Sequence, residues 1–163
     1  TQINPRAGLT FHSVLRALLR QDPDIVMVGE IRDAETAEIA LKAAQTGHLV
    51  LSTLHTNSTS ETLTRLQQMC IARWMISSAL SLVIAQRLVR KLCPHCLRNA
   101  GSAADLPHSL WPRPLPRWQA AGCEHCYHGY YGRLALFEVL PVTPGLRQGI
   151  VQGLNAIEIE SLA

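Results

Sequence analysis

The sequence is poor in several residue types, and these shortages exclude whole classes of protein. Aromatic residues make up 5% of its 163 residues and charged residues 17%, whereas hydrophobic residues reach 47%. This composition excludes a disordered tail and a collagen-like chain, and it predicts a globular core built mainly from Leu, Ile, Val and Ala. The longest strongly apolar stretch, residues 79–85, is far shorter than the roughly 20 residues that cross a bilayer. We therefore expect no transmembrane segment.

The chain also lacks a secretion signal and a strong net charge. Its first residues, Thr1-Gln2-Ile3-Asn4-Pro5, contain neither a start methionine nor a basic stretch followed by an apolar run, so we expect a fragment of a cytoplasmic protein. The net charge of +3 is too small to indicate nucleic acid. A basic run does flank the first cysteine pair, but no aromatic residues are interleaved with it, so we expect a solvated strand face and no nucleic-acid partner.

Four of the five cysteines form two pairs with metal-ligand spacing. Cys93 and Cys96 form one C-x2-C pair, Cys123 and Cys126 form the other, and Cys70 stands apart. Each pair can supply two thiolates from one tight turn to a tetrahedral ion, and zinc with four sulfurs is a structural site. The alternatives are a redox pair or unbound thiols, and a nearby histidine could replace one ligand. The sequence thus favours a four-cysteine zinc module.

The first half of the chain has the pattern of a parallel α/β fold. We predict a helix started by Thr10, a strand at 25–28, a second helix at 34–46 started by Asp33, and a strand at 48–54. Both strands are continuous apolar runs, which predicts parallel strands buried on both faces, with the first in the centre of a sheet. The order helix, strand, helix, strand predicts βαβ winding.

The second half is less regular. We predict helices at 59–69, where Ser58 and Glu61 have capping-box spacing, and at 74–86, followed by a half-exposed strand at 87–92. Residues 99–119 contain four prolines and favour no regular structure. A strand at 134–140, a helix at 144–152 and the start of another helix near Asn155 complete the prediction.

Three polar residues flank the two predicted strands. Glu30 follows the first strand, and His48 and His55 bracket the second, so Glu30 and His55 are expected at the same edge of the sheet. A carboxylate there can hold Mg²⁺ or a water molecule, and an imidazole can donate a hydrogen bond to a phosphate oxygen. Taken alone, Glu30 is more simply interpreted as part of a charged surface loop, and each histidine as a structural residue.

Together, in this order, these features resemble the secretion and pilus-assembly ATPases of bacteria, the GspE/PilB family of type II secretion and type IV pilus motors. The matching segments run nearly from end to end: residues 4–11, 15–24, 29–33, 46–57, 86–96 and 129–133. The resemblance implies the C-terminal half of a RecA-like P-loop ATPase domain at 1–92, a tetracysteine zinc module at 93–133 and the start of a helical C-terminal piece at 134–163.

The resemblance also implies roles and partners. Glu30 would be the Walker B acid, His48 and His55 would be the family's His box, and Glu30, Arg32 and His55 would contact the nucleotide. The cofactors would be ATP and Mg²⁺, with structural zinc on the four cysteines, a module that retraction motors of the superfamily generally lack. The complete protein would be a cytoplasmic homo-hexamer beneath an inner-membrane platform protein and would couple ATP hydrolysis to pilin or pseudopilin assembly.

One departure is large. A P-loop needs G-x4-G-K-[ST], yet none of the ten glycines precedes a lysine. We therefore expect the chain alone to be inactive as an ATPase. The alternative interpretation is a non-catalytic docking module stabilised by zinc, or the remnant of a truncated gene.

Overall fold

The computed structural model of the protein describes residues 10–101 and 117–162. The chain divides into two compact units, one formed by the residues up to Ala85 together with those from Glu138 onward, and the other by Gln86–Phe137. The elements in order are α1 (Phe11–Leu19), β1 (Ile25–Val28), α2 (Ala34–Gln45), β2 (Leu49–Ser52), α3 (Thr59–Gln68), α4 (Arg73–Ala79), β3 (Leu82–Leu92), β4 (Arg98–Asn99), β5 (Trp118–Gln119), β6 (Tyr130–Pro141), α5 (Pro144–Gln152) and α6 (Ala156–Leu162).

Side-chain caps start the first three helices where the sequence predicts them. Thr10, Asp33 and Ser58 each adopt an extended backbone, and each side chain accepts a hydrogen bond from the backbone N–H three residues later. Such a bond satisfies one of the donors that the first turn of a helix leaves without a partner. The predicted starts of α1, α2 and α3 are therefore confirmed, and α2 and α3 each end one residue earlier than predicted.

Strands β1 and β2 pair in parallel, with Ile25 opposite Leu49 and Val28 opposite Ser52. Helix α2 connects them, so the predicted βαβ winding is confirmed. The backbone pairing continues beyond both strands, because Leu49 N–H donates to Asp24 O at 2.9 Å and Ile31 N–H donates to Thr53 O at 3.0 Å. This register brings the segments that follow the two strands together at one edge.

The prediction that both strands are buried on both faces was wrong. Val26 and Val28 are buried, but their alternate neighbours Ile25 and Met27 are 61% and 75% exposed, and Leu49 and Leu51 of β2 are also exposed. In the described part of the chain β1 has β2 as its sheet neighbour, so it is not a central strand here. Helix α2 contacts β2 and packs against α1 and α4, and the described helices leave the other face of the sheet uncovered.

The predicted helix at 74–86 was also wrong beyond its first turns. Helix α4 ends at Ala79, because Leu80 adopts an extended backbone (ψ 128°), and strand β3 begins at Leu82. The apolar run Leu82-Val83-Ile84 contains two β-branched residues, which favour a strand. Strand β3 pairs with β6, which starts earlier than the predicted strand at 134–140.

The core of the first unit lies among its helices and the buried face of β1. Helices α5 and α6 belong to this unit, where α5 contacts α4 and α6 contacts α3. Helix α5 has the predicted bounds, with Thr143 as its N-cap and Gly153 in the left-handed region as its C-cap. The largest fully buried apolar side chains are Leu63, Ile76, Leu140, Leu146, Ile150 and Ile159.

The second unit contains a small strand pair that the sequence did not predict. Strands β4 and β5 run antiparallel, with Arg98 opposite Gln119 and Asn99 opposite Trp118. The ends of the segment 99–119 are therefore regular, whereas residues 102–116 lie outside the described part of the chain. In residues 10–101 and 117–162 there is no helix long and apolar enough to cross a membrane.

Candidate functional site

The edge where β1 and β2 end holds Glu30 and His55 close together. Glu30 comes two residues after β1, and His55 comes three residues after β2. The hydroxyl of Thr53 donates to the carbonyl oxygen of Gly29 at 2.6 Å, which ties the two segments together immediately before these side chains. The parallel register thus brings two residues that are 25 positions apart to one site.

The Glu30 carboxylate has a cationic or hydrogen-bonding partner at each oxygen. Its Oε1 lies 2.6 Å from His55 Nε2, and its Oε2 accepts a hydrogen bond from Arg32 Nε at 2.6 Å. The Glu30 side chain is 21% exposed, whereas those of His55 and Arg32 are 87% and 78% exposed. The carboxylate is thus partly enclosed, and both partners lie where solvent or a ligand can reach them.

A cavity of about 230 Å³ lies over this carboxylate. Its lining includes Ile31, Leu54 and Arg65 in addition to Glu30, Arg32 and His55. A carboxylate beside an imidazole and two guanidinium groups can bind a metal ion or water at the acid and an anion at the cations. Sequence reasoning missed Arg65, because nothing in the sequence distinguishes it from the other arginines of the chain.

His48 does not join this group. It precedes β2 at the opposite end of the strand, and its Nδ1 lies 3.0 Å from the Ala43 carbonyl oxygen and 3.2 Å from the Thr46 hydroxyl. Its Nε2 is buried without a hydrogen-bond partner among the described residues. The structure therefore places the two histidines of the predicted His box at different ends of the strand.

Asp33, three residues after Glu30, is the N-cap that stabilises the start of α2. Its Oδ1 accepts a hydrogen bond from the Thr36 backbone N–H at 2.8 Å and lies 3.2 Å from His12 Nε2. The bond from the Thr36 N–H, assisted by the Thr36 hydroxyl and His12, holds the pKa of Asp33 below its ordinary value against the opposing effect of burial. The ionised carboxylate is thus favoured at the positive end of the helix.

The four paired cysteines converge on one point in the second unit. The Sγ atoms of Cys93 and Cys123 are 3.8 Å apart, those of Cys96 and Cys126 are 3.7 Å apart, and those of Cys123 and Cys126 are 3.6 Å apart. All four sulfurs lie within 4.8 Å of one another. Four sulfurs at about 2.3 Å from a zinc ion in a tetrahedron would be separated by about 3.8 Å. The sulfur positions therefore fit zinc, and they are too far apart for disulfides, which need about 2.05 Å.

The thiols influence one another's ionisation. Burial raises the pKa of Cys126, but hydrogen bonds from the Cys123 backbone N–H and from two neighbouring thiols outweigh it and lower the pKa to about 7. A hydrogen bond from the His125 backbone lowers the pKa of Cys123, yet burial and the three other thiols raise it to about 12. A negative charge on one thiolate makes ionisation of the next thiol less favourable. A divalent cation bound between the sulfurs would offset this repulsion.

The backbone around the cluster is tightly packed. Cys93 N–H donates to the Gly129 carbonyl oxygen at 2.9 Å, which joins the first cysteine pair to the residues that follow the second. Gly129 has a φ of +85°, and a Cβ added there would lie 2.5 Å from the Cβ of Ala120. A glycine is therefore required at this position by both conformation and space.

With this geometry in view, comparison with known proteins decides the family. The family model described as "Type II/IV secretion system protein" matches residues 1–163, the whole chain. The chain belongs to this family. It is 72% identical over its full length to the protein transport protein HofB homolog of Escherichia coli K12, covering 35% of that protein. It is 50% identical to the type IV pilus assembly ATPase PilB of Pseudomonas aeruginosa, with 99% of this chain and 29% of that one covered.

Solved structures give the same result for the fold. The mixed α/β chain is similar to the pilus retraction motor PilT with bound ADP, with a TM-score of 0.64 and 31% sequence identity, covering 94% of this chain and 35% of PilT. The chain is therefore a mixed α/β structure that resembles the matching part of this pilus motor. The chain spans about a third of the length of the curated relatives it matches.

Proposed function

We propose that the complete protein is an ATP-hydrolysing motor of type II secretion or type IV pilus assembly, and that this chain supplies the second half of its RecA-like core. The observation that carries the proposal is the pairing of Glu30 with His55 at the carboxyl edge of a parallel strand pair, beside a cavity lined by two arginines. In open α/β sheets, ligands bind at the carboxyl ends of the strands. Family membership and the named ATPase PilB support the same activity.

In this proposal Glu30 orients the attacking water or holds Mg²⁺ through water. Bound Mg²⁺ would supply charge neutralisation between the phosphates. Each Glu30 oxygen contacts one partner here and keeps a second lone pair that can accept a hydrogen bond from water. His55 can also release Oε1 and turn toward the nucleotide. The released Nε2 of His55 can then donate to a terminal phosphate oxygen. Electrostatic stabilisation of developing charge in this manner is a large contribution in phosphoryl transfer.

The remaining parts of the proposal rest on the family. We propose that the complete protein is a homo-hexamer at the cytoplasmic side of the inner membrane, that it contacts a platform protein there, and that ATP turnover drives pilin or pseudopilin assembly. The segments 1–92, 93–133 and 134–163 would be the ATPase core, the zinc module and the helical piece. His48 would act indirectly, by holding the start of β2 rather than by touching nucleotide. The chain alone would be inactive, since its sequence contains no P-loop.

The test uses the complete protein. Glu30→Gln keeps the shape of the side chain and removes its charge, so we expect ATP turnover to fall by at least about 100-fold while nucleotide binding stays within a few-fold. Glu38→Gln is the matched control, because Glu38 is an exposed carboxylate on α2 that pairs with Lys42 at 2.6 Å. Undiminished turnover in Glu30→Gln would contradict the role of Glu30. A complete protein that neither binds nor hydrolyses ATP would favour the docking-module alternative.

A further inference from the structure

A carboxylate from a distant strand holds the first residue of α3. Glu138 on β6 accepts, at Oε1, hydrogen bonds from the Thr59 backbone N–H at 3.2 Å and from the Thr59 hydroxyl. Thr59 is 3% exposed, and the two residues are 79 positions apart in the sequence. The bond therefore fixes a buried helix start to a strand that arrives much later in the chain.

Helix α3 does not need this bond in order to begin. The Ser58 hydroxyl already accepts from the Glu61 N–H at 3.2 Å, and the Glu61 carboxylate accepts from the Asn57 N–H at 2.8 Å. These local contacts cap the helix in the usual way. What Glu138 adds is a fixed position of the helix start relative to β6.

The helix start is one end of the short segment that carries His55. Thr53 anchors the other end to Gly29, the residue that follows β1, through its bond to Gly29 O, and the Thr56 and Thr62 hydroxyls are 2.8 Å apart. The His55 side chain is 87% exposed, so packing does little to hold the ring. Its position over Glu30 therefore depends on the backbone between Thr53 and Thr59.

We propose that Glu138 is a positioning residue for the Glu30–His55 site, acting through Thr59 and the segment before α3. This rests on the proposed ATPase function. Glu138 is also the residue at which the chain re-enters the first unit after Gln86–Phe137. A displacement of β6 would be transmitted through the Glu138–Thr59 bonds to the segment that places His55.

The test compares three variants of the complete protein. Glu138→Ala removes the acceptor, and we expect kcat for ATP hydrolysis to fall about tenfold with KM within about threefold, because a misplaced transition-state donor lowers the chemical step. Glu138→Gln keeps an oxygen at the same place and is expected to restore kcat to within about twofold. Glu158→Ala is the matched control, since Glu158 also caps a helix, accepting from the Asn155 N–H at 2.8 Å, and it should leave kcat and KM unchanged.

A double-mutant cycle separates positioning from stability. In a His55→Ala background, Glu138→Ala should lower kcat no further, because both changes act through the same ring. A full tenfold loss in that background, or a lowered melting temperature with unchanged kcat, would overturn the proposal. If Glu138→Ala does not fold, Thr59→Val removes the hydroxyl donor alone and should give a smaller loss of kcat that also disappears in His55→Ala.

A structural readout distinguishes failure of this inference from failure of the proposed function. In crystal structures of the variants, the 2.6 Å contact between His55 Nε2 and Glu30 Oε1 should be lost in Glu138→Ala and retained in Glu138→Gln. If His55→Ala leaves kcat unchanged, the proposed role of His55 fails, yet this distance still decides whether Glu138 positions the ring. An intact contact in Glu138→Ala would overturn the positioning role whatever the activity.

Discussion

The four-cysteine cluster gives the most quantitative prediction. Three of its sulfur–sulfur distances, 3.6–3.8 Å, match the edge of a zinc–thiolate tetrahedron, and all four sulfurs lie within 4.8 Å of one another. Only a small rearrangement is therefore needed to bind the ion. Structural zinc contributes about 10–16 kcal/mol of apparent binding free energy. We therefore expect one zinc per chain. Loss of a residue that only hydrogen-bonds to a metal ligand weakens metal binding by up to about 100-fold. Cys126→Ser removes a ligand itself, so it should weaken zinc binding by more than that.

The assay combines native mass spectrometry for stoichiometry with competition against a chelator for affinity. Cys70→Ser is the matched control, since Cys70 is an exposed free thiol outside the cluster, and it should leave the zinc content at one per chain. Chelation should first increase amide exchange in residues 93–133, while amides of α3 stay protected. A metal-free protein with unchanged protection there, or equal zinc loss in both variants, would rule out a structural zinc site at the four cysteines.

Two further predictions concern local structure. Asp33→Ala should destabilise the chain by about 1 kcal/mol. Asp33→Asn keeps a good cap and should lose, at neutral pH, only the contribution of the carboxylate charge. The folded-state pKa of Asp33 is lowered, so the ionised carboxylate adds to the free energy of unfolding above its ordinary pKa, and this contribution is lost as pH falls through the lowered value. Denaturant unfolding at several pH values should show this dependence in the wild type and not in Asp33→Asn. Gly129→Ala should accelerate zinc release to a chelator, because its Cβ would lie 2.9 Å from the Cα of Ala120; an unchanged release rate would contradict the observed packing.

Features determined by local sequence could be predicted well. The caps Thr10, Asp33 and Ser58 marked helix starts, because a side chain three residues from an unsatisfied N–H acts within one turn. The position of Glu30 and His55 at one edge followed from the parallel arrangement of two apolar runs. The spacing of the cysteines likewise limited them to two tight turns.

Features determined by distant neighbours could not be predicted. The apolar run from Leu82 to Ala85 suits a buried helix or a strand, and this segment pairs with β6 as the start of strand β3. Ile25 and Met27 are buried only if another structural element packs on the second face of the sheet. An apolar run in the sequence does not indicate whether such an element is present. Arg65 and Glu138 reach the site region only through the packing of α3, so no sequence spacing marks them.

The most direct test of the central claim is the structure of the complete protein with Mg²⁺ and a non-hydrolysable ATP analogue. We expect His55 Nε2 to leave Glu30 and to lie about 3 Å from a γ-phosphate oxygen, with the Glu30 carboxylate one water molecule away from that phosphate. Nucleotide bound elsewhere, with the Glu30–His55 contact of 2.6 Å intact, would contradict the proposed roles of both residues.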